Sequence, residues 1–269
     1  MNGQTLPWGA AIVTGASRGL GAGIARRLAA TGRPVVLAAR DAQALEAEVS
    51  AIHLRGGEAL AIVTDVADPE SVERMVATAY GRFDAIGMVV NNAGAPPLVS
   101  TLDAMTWDEW RRNIDVDVRG AFNVTRAVAP HLRGHGTATL VNVAAGAVAA
   151  ASPGHVSFSP AQAALVSFSR CVGSWLAPSG VAVHCLCPDL TPAGGVGLAA
   201  ATAFGASQGL SAAEWLERRF DDARLMPEDV GDAVIELAAH RDGAEWWLTA
   251  GDLVRWNVLQ EQPPIAVSG

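Results

Sequence analysis

The run Thr14-Gly15-Ala16-Ser17-Arg18-Gly19-Leu20-Gly21 spaces three glycines so that the chain can turn tightly and bring its backbone close to a phosphate. It follows a short apolar run and opens a helical pattern, which adds the free N–H groups and positive dipole of a helix N-terminus. One Gly-rich turn is a weak signal. Three later runs, ending at Ala39-Arg40, Asp65-Val66 and Asn91-Asn92-Ala93-Gly94, strengthen it, because each falls where a strand would reach a carboxyl-edge crevice. Arg18 and Arg40 bring two guanidiniums with bidentate geometry for a further phosphate. The plainer reading makes them ordinary surface charges; the surrounding pattern favours phosphate. Asp41, next to Arg40, can reach a ribose hydroxyl.

These residues need a scaffold, and the apolar pattern supplies one. Ala10–Thr14, Val35–Ala39, Ala59–Thr64, Ile86–Asn91, Thr139–Val143 and Val181–Cys187 read as buried strands. Leu20–Ala30, Ala42–Leu54, Pro69–Gly81, Trp107–Leu132 and Ala161–Ala177 read as helices between them, with Asp68 as N-cap before Pro69. The alternation predicts an α/β fold: a Rossmann-type doubly wound parallel sheet with right-handed crossovers. The 269 residues, half of them apolar, fit a single domain without linker or repeat. The segment Ala193–Phe220 is small-residue-rich and then amphipathic near Trp215 and Phe220; a mobile surface loop and a lid over a carboxyl-edge pocket both suit it, and the lid is expected from its place.

A net charge of −8 without a basic run argues against nucleic acid and anionic membranes as partners. Neither a transmembrane stretch nor a secretion signal is expected, and three Cys fit a reducing cytoplasm better than a disulfide framework.

Taken in order and spacing, the Gly-rich turn, the strand ends and Arg224-Leu-Met-Pro-Glu-Asp-Val230 resemble the short-chain dehydrogenase/reductase family, from about residue 8 to residue 257. The resemblance implies that Gly15, Ser17, Arg18, Gly19, Leu20 and Gly21 line the phosphates and ribose of a nicotinamide dinucleotide. It further implies that Asp65 and Val66 flank the adenine, that Asn91, Ala93 and Gly94 border the nicotinamide side, and that Gln162 and Pro188 belong to the same site. An NAD-selective site carries an acid after the second strand; Arg40 stands there, so NADP(H) is expected over NAD(H). A homodimer or homotetramer through the helices at Trp107–Leu132 and Ala161–Ala177 is also implied.

The same resemblance exposes a gap. The family's Asn, Ser, Tyr and Lys fall here on Asp117, Ala145, Phe158 and Gln162, with the thirteen-residue step from Ala145 to Phe158 and the four-residue step to Gln162 kept. Tyr80 is the chain's single tyrosine, lysine is absent, and the family's Pro-Gly has become Pro188-Asp189. Phe158 cannot donate a proton and Ala145 cannot hold a carbonyl, at a cost of about 10²–10⁴-fold in rate. Local formal charge moves from +1 to −1 if Asp117 is ionised. A cation about 5 Å away would then gain roughly 3 kcal/mol at an effective dielectric near 20. Asp189 can add to this, and Asp117 is equally read as a solvated carboxylate or one paired with Arg111, Arg112 or Arg119.

Three functions stay open. The first is an NADP(H)-dependent reductase of non-standard mechanism acting on an iminium or conjugated alkene. The others are a redox-neutral cyclase or isomerase using Asp117 or His155, and a catalytically silent NADP-binding sensor or partner subunit. His155 is a candidate acid or a loop histidine without a role. His184, Cys185 and Cys187 read as strand core rather than metal ligands. Trp175, Trp246 and Trp247 read as core or interface, and Trp107, Trp110 and Trp215 can bound an apolar pocket.

Overall fold

Buried Val, Ile and Ala runs form strands in the computed structural model, which describes residues 9–149, 155–193, 195–219 and 224–257. The chain runs β1 (Ala10–Thr14), α1 (Gly19–Ala30), β2 (Val35–Ala39), α2 (Ala42–Leu54), β3 (Ala59–Val63), α3 (Pro69–Arg82) and β4 (Ile86–Asn91). It continues through α4 (Trp107–Asn113), a π-helical turn (Ile114–Arg119), α5 (Gly120–His135), β5 (Thr139–Val143), α6 (Phe158–Leu176) and β6 (Ala182–Pro188). Last come α7 (Gly195–Ser207), α8 (Ala212–Arg219), α9 (Pro227–Leu237), β7 (Glu245–Leu248) and β8 (Leu253–Arg255).

The sheet order is β3-β2-β1-β4-β5-β6-β7-β8. Every pairing is parallel except β7 with β8. Strand order reverses between β1 and β4, so the crevice of a doubly wound sheet opens beyond their carboxyl ends, beside Gly15 and Asn92. Alternating strand residues feed two apolar layers. Ala11, Val13 and Leu37 pack with Ile24, Leu28, Leu45 and Val234 of α1, α2 and α9. Ile12, Val36 and Val89 pack with Met75, Val128, Leu132 and Leu176 of α3, α5 and α6.

Three expectations change in detail. The single helix expected over Trp107–Leu132 is divided by the π-helical turn at Ile114–Arg119, one wide turn that rotates the residues after it. Helix α6 starts at Phe158 rather than Ala161, because Pro160 falls in its first turn, where a missing N–H costs nothing. In the segment from Ala193, expected as a lid, the chain forms the helices α7 and α8, so the alternative reading as a loop does not hold; Ala201, Trp215 and Leu216 form its own small core. Gly194 and Phe220, both counted in that segment, lie outside the described residues. Among the described residues no helix is long and apolar enough to cross a membrane, and no group of His, Cys, Asp and Glu is placed to hold a metal ion.

Candidate active site

Gly15 adopts φ +66°, and a side chain there would press within 2.8 Å of the Ala93 Cα. A Cβ on Gly21 would lie 2.3 Å from the Gly15 carbonyl oxygen and 2.5 Å from Asn92 Nδ2. The turn is tied to β4: Asn92 donates from Nδ2 to the Thr14 carbonyl at 2.9 Å, and the N–H groups of Asn92 and Ala93 donate to Thr14 Oγ1 at 3.0 and 3.1 Å. The turn and the Asn-Asn-Ala-Gly run are therefore one structure. Gly21→Ala is expected to unfold this corner: dinucleotide binding is lost and the melting temperature falls, read by fluorescence titration and thermal melting.

Helices α2, α3 and α4 are capped by side chains of Asp41, Asp68 and Thr106. Helix α1 has no side-chain cap and no acid in its first turn, so its first N–H groups are left for an anion. This is the observation by which the corner fits a pyrophosphate. Ser17 and Leu20 flank the turn, partly buried, while Arg18 and Arg40 are exposed. Arg18 is not idle: its Nη2 meets Asp41 Oδ2 at 2.9 Å. Asp65 accepts from the Ala67 N–H at 2.9 Å within its own loop, and the Val66 carbonyl accepts from Asn123 Nδ2 at 2.9 Å. Asn91 turns its side chain inward, donating to Asn142 Oδ1 at 2.8 Å and Thr125 Oγ1 at 3.1 Å, so only its backbone can border a ligand.

Of the four positions of the gap, Phe158 and Gln162 lie one turn apart on α6 and Gln162 meets Asp117, while Ala145 follows the end of β5. Asp117 lies in the π-helical turn and is 3% exposed. It takes three donors: the Ala95 N–H at 2.7 Å, Gln162 Nε2 at 3.0 Å and Asn113 Nδ2 at 3.3 Å. Ser157 Oγ donates to Asn113 Oδ1 at 2.9 Å and closes the network. Burial nonetheless outweighs these donors and pushes the Asp117 carboxyl up to about 7. The alternative reading of Asp117 as paired with an arginine does not hold for Arg111, which goes to Asp108 and Asp115, or for Arg119, which goes to Asp115. Arg112 acts on Asp117 only as a more distant charge.

Phe158 beside this network is buried, and Gly146, next after Ala145, is crowded by Asp189 and Trp247; a Cβ there would lie 3.2 Å from Asp189 Oδ1. Pro188 ends β6 and its successor Asp189 is anchored by its N–H to the Leu248 carbonyl at 2.8 Å. On the other side, the His155 ring lies 6.4 Å from Phe158 and 4.6 Å from Phe204 of α7, and Phe204 stacks on Trp215 of α8 at 5.6 Å. Gly195, at the start of α7, comes within van der Waals reach of Gly19: a Cβ there would lie 3.4 Å from its Cα. Trp215 joins the α7–α8 core, whereas Trp107 stacks on Trp110 and stays 69% exposed, so the three do not bound one pocket.

Other expected groups lie elsewhere. Cys185 and Cys187 are buried beside Trp247 and Leu165. His184 bonds His240, Ala244 and Trp246 in the core, and burial lowers its pKa to about 4. Tyr80 stacks on His131 at 4.0 Å beside a cavity of about 430 Å³ between α3 and α5. Burial raises its hydroxyl to about 12, and the one tyrosine stands on α3 facing α5 rather than on α6 where Phe158 is. Sequence reasoning missed Asn92, Asn113 and Ser157. Asn113 had a signal in its four-residue spacing from Asp117; Asn92 and Ser157 had only their neighbours.

Comparison with known proteins agrees with this geometry. Residues 9–212 match the family model of the short chain dehydrogenases. A 3-oxoacyl-[acyl-carrier-protein] reductase of Synechocystis is 35% identical over 179 residues, covering 66% of this chain and 72% of that protein. The short-chain reductase protein NovJ of Streptomyces niveus is 37% identical over 180 residues, covering 66% of this chain and 67% of its own. Among solved structures, an actinorhodin polyketide ketoreductase variant with NADPH aligns with a TM-score of 0.81 at 26% identity, over 89% of this chain and 94% of that one. A metagenomic short-chain oxidoreductase in complex with NADP aligns at 0.73 and 25% identity, over 89% and 96%. The glycine corner tied to β4, the strand order and these matches make the chain a member of the short-chain dehydrogenase/reductase family.

Proposed function

We propose that this chain is an NADP(H)-dependent oxidoreductase acting first on an iminium, which takes up hydride with no proton, and second on a conjugated alkene, whose enolate then takes its proton from water. When bound, NADPH supplies the hydride. The uncapped N-terminus of α1 with Gly15, Gly19 and Gly21 would hold the pyrophosphate, and Arg40 with Arg18 the 2′-phosphate. The reading is carried by one observation: where an acid and a cation are expected, the chain puts a buried phenyl ring and a glutamine bonded to a carboxylate.

Charge decides between substrates. A ketone that takes up hydride becomes an alkoxide, and this site offers it no hydroxyl from positions 145 or 158 and no ammonium, with Asp117 and Asp189 nearby. An iminium that takes up hydride becomes a neutral amine with no proton added at nitrogen. Before that step its cation sits in a favourable field wherever a carboxylate is ionised, which for Asp117 means above about pH 7, worth roughly 3 kcal/mol at about 5 Å and an effective dielectric near 20. Helices α7 and α8, with Phe204 and Trp215, suit a lid that keeps water from the reacting atoms. Self-association through the outer faces of α5 and α6 is also proposed, because Phe122 is 47% and Trp175 57% exposed there.

The test follows NADPH consumption with a preformed cyclic iminium, an enone and a matched ketone. Faster turnover of the iminium by at least about 10²-fold is expected, from the cost of a missing general acid. Equal rates on iminium and ketone would overturn the proposal. Product without NADPH consumption would indicate redox-neutral chemistry instead.

A further inference from the structure

The chain's single tyrosine stands apart from the site described above, at the cavity of about 430 Å³ between α3 and α5. Glu73, Val76 and Tyr80 line one wall; their three- and four-residue steps put them on one face of α3. Asn123, Arg126 and His131 line the other wall, on α5. The Tyr80 ring lies flat on His131, with the planes 20° from parallel. Its hydroxyl oxygen is buried and has no hydrogen-bond partner among the described residues. Burial holds the hydroxyl pKa up at about 12, so the group keeps its proton and can donate. Leaving such a buried donor unpaired is unfavourable, and a ligand that accepts from it removes that penalty.

Two opposite charges stand at the same cavity. Glu73 and Arg126 are exposed at its rim, and neither makes a hydrogen bond or ion pair among the described residues. Both helices lead from one parallel strand to the next, so they run in the same direction. Counted back from the Tyr80–His131 stack, Arg126 is about 7.5 Å along α5 and Glu73 about 10.5 Å along α3, at 1.5 Å per residue. The two charges therefore face each other from opposite walls at one end, and the stacked rings close the other. We propose that this cavity is a second small-molecule site, and that it takes a small zwitterion, an amino acid with an apolar or aromatic side chain. Its carboxylate meets Arg126 and the Tyr80 hydroxyl, its ammonium meets Glu73, and its side chain lies against Val76 and the stacked rings. A monoanion of the same shape leaves Glu73 opposed to it, and a monocation leaves Arg126 opposed. Because both charges are exposed and screened, the affinity belongs to the millimolar range. Arg126 lies one turn on from Phe122, so the cavity opens beside the face proposed for self-association.

The experiment uses the whole chain with its one tyrosine carrying a ¹³C-labelled ring, so that the NMR signal reports on this cavity alone. L-phenylalanine, 3-phenylpropionate and phenethylamine share a ring and differ in charge, and each is titrated in turn. L-phenylalanine is expected to shift the tyrosine signals saturably, and the two singly charged probes to bind about 5- to 10-fold more weakly. Arg126→Gln is expected to weaken L-phenylalanine about 10-fold and Glu73→Gln about 5-fold, with melting temperatures close to wild type because both positions are exposed. Tyr80→Phe keeps the stack and removes the hydroxyl; calorimetry should show L-phenylalanine bound several-fold more weakly. No saturable shift in the folded wild type would overturn the proposal and leave the cavity to solvent or to a second copy of the chain. Equal binding of the three probes, or unchanged constants in both charge variants, would overturn it as well, since recognition would then be apolar alone. The titration with NADPH is separate, so failure here leaves the NADP reading standing.

Discussion

The Asp117→Asn variant is expected to gain stability over wild type as pH rises, so that its advantage in melting temperature is larger at pH 8 than at pH 5 by roughly 5–10 °C. The Asp117 carboxyl is held up at about 7, against an ordinary value of 3.8, because burial outweighs its three hydrogen bonds. An acid with a raised pKa keeps its proton in the folded state while the unfolded chain has lost it. Stability is therefore fully retained below about pH 4, falls as pH rises toward 7, and stays lower above that. Between pH 5 and pH 8 this amounts to roughly 2–3 kcal/mol. A chain of this size moves by about 2–4 °C per kcal/mol. Asparagine carries no titration, so any packing difference it introduces is a constant offset across the series. His184 works in the other direction: its pKa is lowered to about 4, so stability is lost as pH falls from about 6.5 toward 4. The wild-type profile is thus flattened by two opposed buried groups, and the variant should expose the His184 limb. Parallel wild-type and variant melting curves from pH 5 to pH 8 would show that Asp117 does not carry this raised pKa.

Arg40→Ala is expected to weaken NADPH by about 10- to 100-fold while leaving NADH within about twofold. A hydrogen bond to a charged group contributes about 1.5–3 kcal/mol, and the 2′-phosphate is the only part of the cofactor that differs. Arg40 is exposed at the end of β2, and among the described residues its side chain makes no hydrogen bond or ion pair, so it can turn to a ligand. Arg18→Ala should cost less, because Arg18 already spends part of its capacity on Asp41. Titration of both variants with both cofactors checks the order. Equal losses for NADPH and NADH at Arg40 would mean that the residue acts on the fold and not on the phosphate.

The strands and the glycine corner were legible because each is local. A five-residue apolar run such as Ala10–Thr14 can only be a buried strand before a turn like Gly15 to Gly21. The wide turn at Ile114–Arg119 was not legible. Asp115 and Asp117 look alike in the sequence, yet Asp115 meets Arg111 and Arg119 at the surface, whereas Asp117 turns inward beneath Ala95 and Gln162. That choice is made by tertiary packing against β4 and α6. The Arg18–Asp41 pair was hidden for a similar reason: 23 residues separate partners that meet only when β1 and β2 lie side by side. The segment from Ala193 shows the limit of composition. Its glycines suggest a loop, yet Gly197 and Gly205 are places where backbone packs too closely for a Cβ, 1.9 Å from the Thr191 carbonyl oxygen and 2.9 Å from that of Leu210. Glycine there lets α7 pack closely against the connecting backbone at Thr191 and Leu210.

The central claim is that this member of the family transfers hydride without the tyrosine, lysine and serine that its spacing calls for. The most direct measurement is single-turnover transfer of deuterium from NADPH labelled at the nicotinamide C4, with mass spectrometry of the product from a preformed cyclic iminium and from a matched ketone. One deuterium is expected at the former iminium carbon, delivered from one face of the labelled cofactor, and little or none in an alcohol. Label transferred to the ketone as fast as to the iminium, or to neither while NADPH remains bound, would contradict it.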